Sequence, residues 1–192
     1  MKDDKALIKR IKSGDTDAFS ELVLQYEKKA FNFAYRILKD AHLAEDATQE
    51  AFMRVYSKID TFLGKSSFQA WFYTILNNIC LDHLRKKSRQ PDALSIPQTS
   101  TDDEEYELQI EDKSAGPHEV LQKKDTVALL EKAIDLLSYE HRLVIILRDI
   151  EGREYEEIAK ILNISLGTVK SRLSRARLSL RKILEDEKEL FL

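Results

Sequence analysis

The sequence predicts an all-α chain of two small helical domains joined by a flexible acidic linker. Three observations predict it. Apolar residues recur at helical spacing on both sides of the middle of the chain, and no run of β-branched and aromatic residues alternates cleanly enough to suggest a sheet. All three prolines and a net charge of -7 fall in residues 90–125, where 10 acidic groups face 3 basic ones. At 192 residues with 43% hydrophobic content, the chain can hold one ordinary domain or two small ones with packed cores.

The first domain is expected over 1–89. Ser13-Gly14-Asp15 introduces a helix whose stripe Phe19, Leu22, Val23, Tyr26, Ala30, Phe33, Ala34 and Ile37 is core. The next helix, roughly 42–59, buries Ala44, Ala47, Ala51, Phe52, Val55 and Ile59. Asp46, Gln49, Glu50 and Met53 then share an adjoining stripe at i, i+3, i+4 and i+7. Two acids, an amide and a thioether there suit either a solvated face or a docking surface for a partner with basic and apolar groups.

A third helix is expected from Ser66 or Ser67 to about Lys87, with Ser66 and Gln69 in capping-box spacing. Phe68, Trp71, Phe72, Ile75, Leu76, Ile79 and His83 supply its core stripe, and Tyr73, Asn77, Asn78, Asp82, Arg85 and Lys86 occupy much of the remaining surface. The aromatics near its start, after the polar loop of residues 60–65, suit stacking on unpaired bases, although as a group they read first as core.

Residues 90–122 read as the linker. Their acidic run DDEEYE suits a solvated tether, or a strip that fills a basic channel of a partner in imitation of nucleic acid.

The second domain is expected over 123–187, ahead of a short tail at 188–192. Ile158, Ala159 and Leu162 stop at Asn163, and Ser165 offers an N-cap with Thr168 three residues on. The following helix turns Val169, Leu173, Ala176 and Leu180 inward and Lys170, Ser171, Ser174, Arg175 and Arg177 outward. This is the layout of a helix-turn-helix whose second helix enters a DNA groove. From Lys160 to Leu184 there are seven basic residues and no acidic one, in a chain of formal charge -3. Arginine forks suit guanine edges and phosphates, and hydroxyls suit either. A basic amphipathic helix also suits membranes or acidic partners.

Other chemistries find little support. The single Cys80 cannot form an internal disulfide and reads as a buried helix residue. Four scattered histidines, no glycine-rich phosphate loop and no nucleophile with a positioned base argue for no catalytic residue, no metal and no cofactor. The absence of a leader or long apolar span at the N-terminus leads us to expect a soluble, cytoplasmic protein without membrane insertion.

AEDATQEAFMRVY (44–56), FQAWFYTILNNICLDHLRKK (68–87) and YEEIAKILNISLGTVKSRLSRARLSLRK (155–182) occur in an order and spacing that resembles a bacterial extracytoplasmic-function (ECF) sigma factor of the sigma-70 family. The resemblance covers nearly the whole chain except the linker and the last few residues. It implies a sigma-two helical bundle and a sigma-four helix-turn-helix domain, and an alternative sigma factor that binds core RNA polymerase and directs promoter-specific initiation without being an enzyme.

By the same resemblance, Asp46, Gln49, Glu50 and Phe52 dock on the polymerase clamp helices. Phe62, Lys65, Phe68, Trp71, Tyr73, Asn77, Asn78, Asp82, Arg85 and Lys86 belong to the part that captures and holds the single-stranded minus-ten element. Lys170, Ser171, Ser174, Arg175 and Arg177 enter the duplex minus-35 major groove, and Thr168 holds phosphate. The linker would follow the RNA-exit path, and an anti-sigma factor would cover these faces. Lys170 and Ser174 stand where members often carry arginine and a bulkier residue, so no promoter sequence transfers. The competing reading is a stand-alone helix-turn-helix regulator with a helical sensing or dimerisation domain. With its overall negative charge, the free chain is expected to bind duplex DNA poorly.

Overall fold

The structure, a computed structural model, describes residues 4–89 and 117–190, and within them the side chains of 4–88 and 126–186. The described residues form helices and connecting turns without a β-strand. The acidic segment 90–116, and with it the proposed linker path, lies outside them.

Each turn of the N-terminal domain is written in its capping residues. Helix α1 (Asp4–Lys12) buries Leu7, Ile8 and Ile11. Asp15 then caps α2 (Thr16–Leu38) by accepting the Ala18 N–H at 3.0 Å, a bond that with Arg10 holds its carboxyl below the usual range. The 23-residue α2 buries Leu22, Tyr26, Ala30, Phe33, Ala34 and Ile37 along one stripe. Lys39 ends it in the left-handed conformation, and Asp40 immediately caps α3 (Ala41–Lys58) through the Leu43 N–H at 3.0 Å. A two-residue corner therefore makes α2 and α3 an antiparallel hairpin.

A short 3₁₀ turn (Ile59–Thr61) and a loop lead to α4 (Phe68–Arg89), which packs on both α2 and α3. The cap is Ser67 rather than Ser66: its Oγ accepts the Ala70 N–H at 3.2 Å, while Gln69 turns toward the C-terminal domain. The Phe72 ring lies 5.1 Å from Phe52 and 5.8 Å from Tyr26, so one aromatic cluster joins the three helices. Cys80 is fully buried there, and burial pushes its thiol up to about 12.

The C-terminal domain comprises α5 (Pro117–Asp135), α6 (Tyr139–Ile145), a π-helical turn (Ile146–Ile150), α7 (Tyr155–Leu162) and α8 (Leu166–Leu190). Helix α5 begins inside the span expected as linker, with Pro117 at its first position, where a missing N–H costs nothing. Helix α8 extends into the expected tail. Asn163 closes α7 in the left-handed conformation, and Ser165 Oγ caps α8 through the Thr168 N–H at 3.0 Å. Ile158, Ile161, Val169, Leu173 and Ala176 meet Leu143, Val144, Ile145 and Leu147 in the core. The two domains also pack together, α7 against α4 and α6 against α2.

Candidate nucleic-acid and partner interfaces

Helix α3 presents the first candidate surface. Its buried residues Ala44, Ala47, Thr48, Ala51, Phe52 and Val55 leave Asp46 and Gln49 exposed and Glu50 half-buried. Glu50 accepts from Arg54 Nη2 at 2.6 Å, one turn away, a pair with about 0.3–0.5 kcal/mol to offer in water. Phe52 is buried, as the helix spacing expects, and so does not share the exposed surface to which the resemblance assigned it. It is 7% exposed and packs on Phe72, because four residues per pair of turns face the core here. Met53, 71% exposed, stands beside the acids as the spacing expects, followed by Tyr56 with its ring edge on Phe19 at 4.9 Å. The surface is thus acidic and apolar together.

The loop before α4 is tied down from a distance. Lys12 Nζ donates to the Phe62 carbonyl at 2.7 Å and the Asp60 carbonyl at 3.3 Å. Phe62 and Trp71 lie 5.1 Å apart, and Phe68 sits behind both at 6.0 Å, buried against Tyr26 at 5.4 Å. Phe62 and Trp71 remain half-buried, so they offer ring surface on a rigid base; Phe68 offers support from within the core. Lys65 is exposed nearby.

Along α4, Asn78, Asp82, Arg85 and Lys86 are exposed, with an Asp82–Arg85 pair at 3.7 Å. Tyr73 and Asn77 are not on the surface as expected. Tyr73 is fully buried and Asn77 6% exposed, because the C-terminal domain covers them. The Tyr73 hydroxyl donates to Glu151 Oε2 at 2.6 Å, and Arg153 stacks its guanidinium 4.9 Å from the ring centre. Asn77 Oδ1 accepts from the Tyr139 hydroxyl at 3.1 Å. Burial first, and then the Glu151 charge, push the Tyr73 phenol well above its ordinary value.

Helix α8 carries the third surface. Val169, Leu173 and Ala176 are buried, Leu180 is half-buried, and Lys170, Ser171, Ser174, Arg175 and Arg177 are exposed on the other side. Thr168 uses its N–H on the Ser165 cap, and its hydroxyl lies 2.8 Å from Ser165 Oγ. Arg177 forks onto Asp149, whereas Lys170 and Arg175 face no acid among the described residues.

Sequence reasoning did not single out Glu151, Arg153, Tyr139, Glu131 or Arg36, all of which bridge the domains. Arg36 donates to Glu131 Oε1 from Nη2 at 3.0 Å and from Nε at 3.2 Å. No local spacing reveals such pairs, whose members lie some 60 to 95 positions apart. Among the described residues, no group of three or more His, Cys, Asp or Glu is placed to hold a metal ion, and no helix is long and apolar enough to cross a membrane.

Comparisons with known proteins bear on these three surfaces together. The family model for sigma-70 region 2 matches residues 22–90, and that for sigma-70 region 4 matches 128–180. The chain is 38% identical over 183 residues to the ECF RNA polymerase sigma factor SigW of Bacillus subtilis, covering 95% of this chain and 97% of that one. It is 31% identical to the ECF RNA polymerase sigma-E factor of Escherichia coli K12, covering 91% and 90%. Its fold is similar to that of the sigma factor RpoE in complex with the anti-sigma factor NepR from Bartonella quintana, with a TM-score of 0.67, 28% identity, and 87% and 96% of the two chains covered. The match spans both domains, including the N-terminal one that a stand-alone regulator would have used for sensing or dimerisation. The chain therefore belongs to the ECF sigma factors of the sigma-70 family, the alternative sigma subunits that bind core RNA polymerase and direct promoter-specific transcription initiation.

Proposed function

We propose that the three exposed surfaces divide the work of initiation among themselves. Asp46, Gln49 and Glu50 of α3, with Met53 at their side, dock the polymerase. Phe52 supports that surface from the core. Phe62, Lys65 and Trp71, backed by Phe68, receive an unstacked minus-ten base, and Asn78, Asp82, Arg85 and Lys86 follow the separated strand. Unstacking costs only a few kcal/mol, so capture by stacking together with polymerase binding is sufficient and no covalent chemistry is needed. Tyr73 and Asn77 belong to the same strand-holding face when the domains are apart.

Lys170, Ser171, Ser174, Arg175 and Arg177 read the minus-35 major groove, and Thr168 sits at the phosphate backbone. The single observation that carries this reading is the division of α8 over residues 169–177, with Val169, Leu173 and Ala176 inward and Lys170, Ser171, Ser174, Arg175 and Arg177 outward. Positioning and base stacking account for the whole role, so the chain is a non-enzymatic initiation factor of the bacterial cytoplasm. The likeness to RpoE bound to NepR supports an anti-sigma factor as the partner that holds it inactive.

Transcription by core polymerase supplemented with this chain on a promoter library tests the reading. A defined set of transcripts absent from core alone is the expected result; no specific transcript from any promoter contradicts it.

A further inference from the structure

We propose that Lys12, at the end of α1, is a positioning residue for base capture: its ammonium fixes the loop of residues 60–65 in the shape that keeps Phe62 and Trp71 open to an unstacked base. The inference deepens the reading of that loop given above and rests on it.

The tie starts from a firm base. Leu7, Ile8 and Ile11 bury one side of α1, and the Gly14 N–H closes its last turn on the Ile11 carbonyl at 2.9 Å. Arg10 then ties this end of the helix to Asp15 at 2.8 Å and to Glu21 of α2 at 3.1 Å. Helix α1 also packs on the 3₁₀ turn that opens the loop. From there Lys12 Nζ donates to the carbonyls of Asp60 at 3.3 Å and Phe62 at 2.7 Å. Two carbonyls on one ammonium fix the curve of the chain between them, and bonds from a charged donor are the stronger kind.

The loop supplies little of this shape itself. The Phe62 N–H bonds the Ile59 carbonyl at 3.1 Å and the Thr61 hydroxyl bonds the Lys58 carbonyl at 2.7 Å, so both look back toward α3. Beyond them Gly64 stands at φ +70° with open space where a Cβ would sit, so steric packing does not confine the turn there. Leu63, 74% exposed, lies between the tied Phe62 and Gly64. An apolar side chain on a free loop gains by folding onto neighbouring apolar surface, and the half-buried Phe62 and Trp71 rings are the surface at hand. Held at Phe62, the loop keeps Leu63 out in water and leaves those rings open. A base then meets a site already shaped, without the cost of ordering the loop as it binds.

The test uses holoenzyme made with the full chain and a forked DNA from a promoter it transcribes, carrying a base or an abasic sugar at each single-stranded minus-ten position in turn. With wild type, the position whose abasic form loses affinity marks the captured base. Lys12 is exposed, so Lys12→Met removes the donor, keeps the stem and should leave the fold intact. It should bind the base-containing fork about tenfold more weakly, the scale of ordering a loop side chain on binding. It should bind the abasic fork and core polymerase like wild type, and Lys12→Arg, which keeps a charged donor, should recover most of the loss.

Equal weakening on both forks would make Lys12 a phosphate contact or a general support and overturns the positioning role, as does undiminished binding to the base-containing fork. Amide hydrogen exchange of the free chain reads the tie without DNA. Residues 61–66 should exchange faster in Lys12→Met than in wild type, and unchanged exchange overturns the tie. A wild-type holoenzyme indifferent to every abasic site would instead overturn base capture by this loop, and the exchange comparison would still decide whether Lys12 fixes its shape.

Discussion

Arg177 lays its guanidinium across the carboxylate of Asp149, with Nη2 2.5 Å from Oδ1 and Nε 3.2 Å from Oδ2, and so joins the exposed cationic side of α8 to the π-helical turn ahead of α7. Both side chains are well exposed, which limits the pair to about 1 kcal/mol or less. A DNA phosphate offers the same fork a stronger acceptor in a stronger field. On the proposed minus-35 role of Arg177, Asp149 therefore competes with DNA for it.

Replacing Asp149 with Asn should raise affinity for a minus-35 duplex by up to about fivefold, the factor that matches an exposed pair of this strength. Arg177→Ala should weaken binding and reduce the salt slope by about 1 if the contact is to phosphate. Fluorescence anisotropy across a salt series measures both. Weaker binding by Asp149→Asn would show instead that Asp149 positions Arg177 for its contact.

Phe52 and Met53 are adjacent in sequence and opposite in consequence. Phe52→Ala opens a cavity against Phe72 and should cost ~3–5 kcal/mol of stability. Met53→Ala, at a site 71% exposed, should stay within about 0.5 kcal/mol of wild type and yet weaken polymerase binding. Urea unfolding alongside polymerase binding separates the two effects. Equal stability loss in both would contradict the placement of Met53.

Ser165 caps α8, the helix proposed to read the minus-35 element. Ser165→Ala should cost about 1 kcal/mol, and Ser165→Asp should retain the cap. Thermal melts check the stability, and duplex affinity should fall with the first variant more than the frayed first turn alone would if Thr168 touches phosphate.

Alkaline pH should destabilise the fold. Cys80, Tyr26, Tyr73 and Tyr139 all have their ionisation pushed upward, chiefly by burial, so the folded state keeps protons that the unfolded chain releases. The sign is that of a raised folded pKa: the contribution of Cys80 is complete below its ordinary 9.0 and is lost as pH rises toward about 12. Melting temperature should be flat through neutral pH and fall above pH 9, and Cys80→Ala should make that fall shallower. A slope unchanged by Cys80→Ala would exclude the thiol as a contributor.

The elements that sequence made legible are those governed by local rules. The α2 stripe from Leu22 to Ile37, the Asn163 stop, the Ser165 cap and the division of α8 each follow from spacing and capping within a few residues. The choice of Ser67 over Ser66 depended on which hydroxyl faced the Ala70 N–H, a question of backbone direction that spacing leaves open. Phe52 satisfied both the buried stripe of α3 and the family's docking position, and only the packing of Phe72 decided between them. Tyr73 and Asn77 looked solvent-facing because α4 alone has a side that its own domain does not cover. Their partners Glu151 and Tyr139 arrive from far along the chain, beyond anything periodicity records.

The proposed role of α3 is to bring this chain to RNA polymerase. Its most direct test is size-exclusion chromatography of the full chain with bacterial core polymerase, comparing wild type with Asp46→Arg/Glu50→Arg. Both side chains reach solvent on the outer side of α3, so the variant should melt like wild type. Wild type should form a stoichiometric complex and the variant none. Co-elution of the variant at wild-type level, or no complex with wild type, would contradict it.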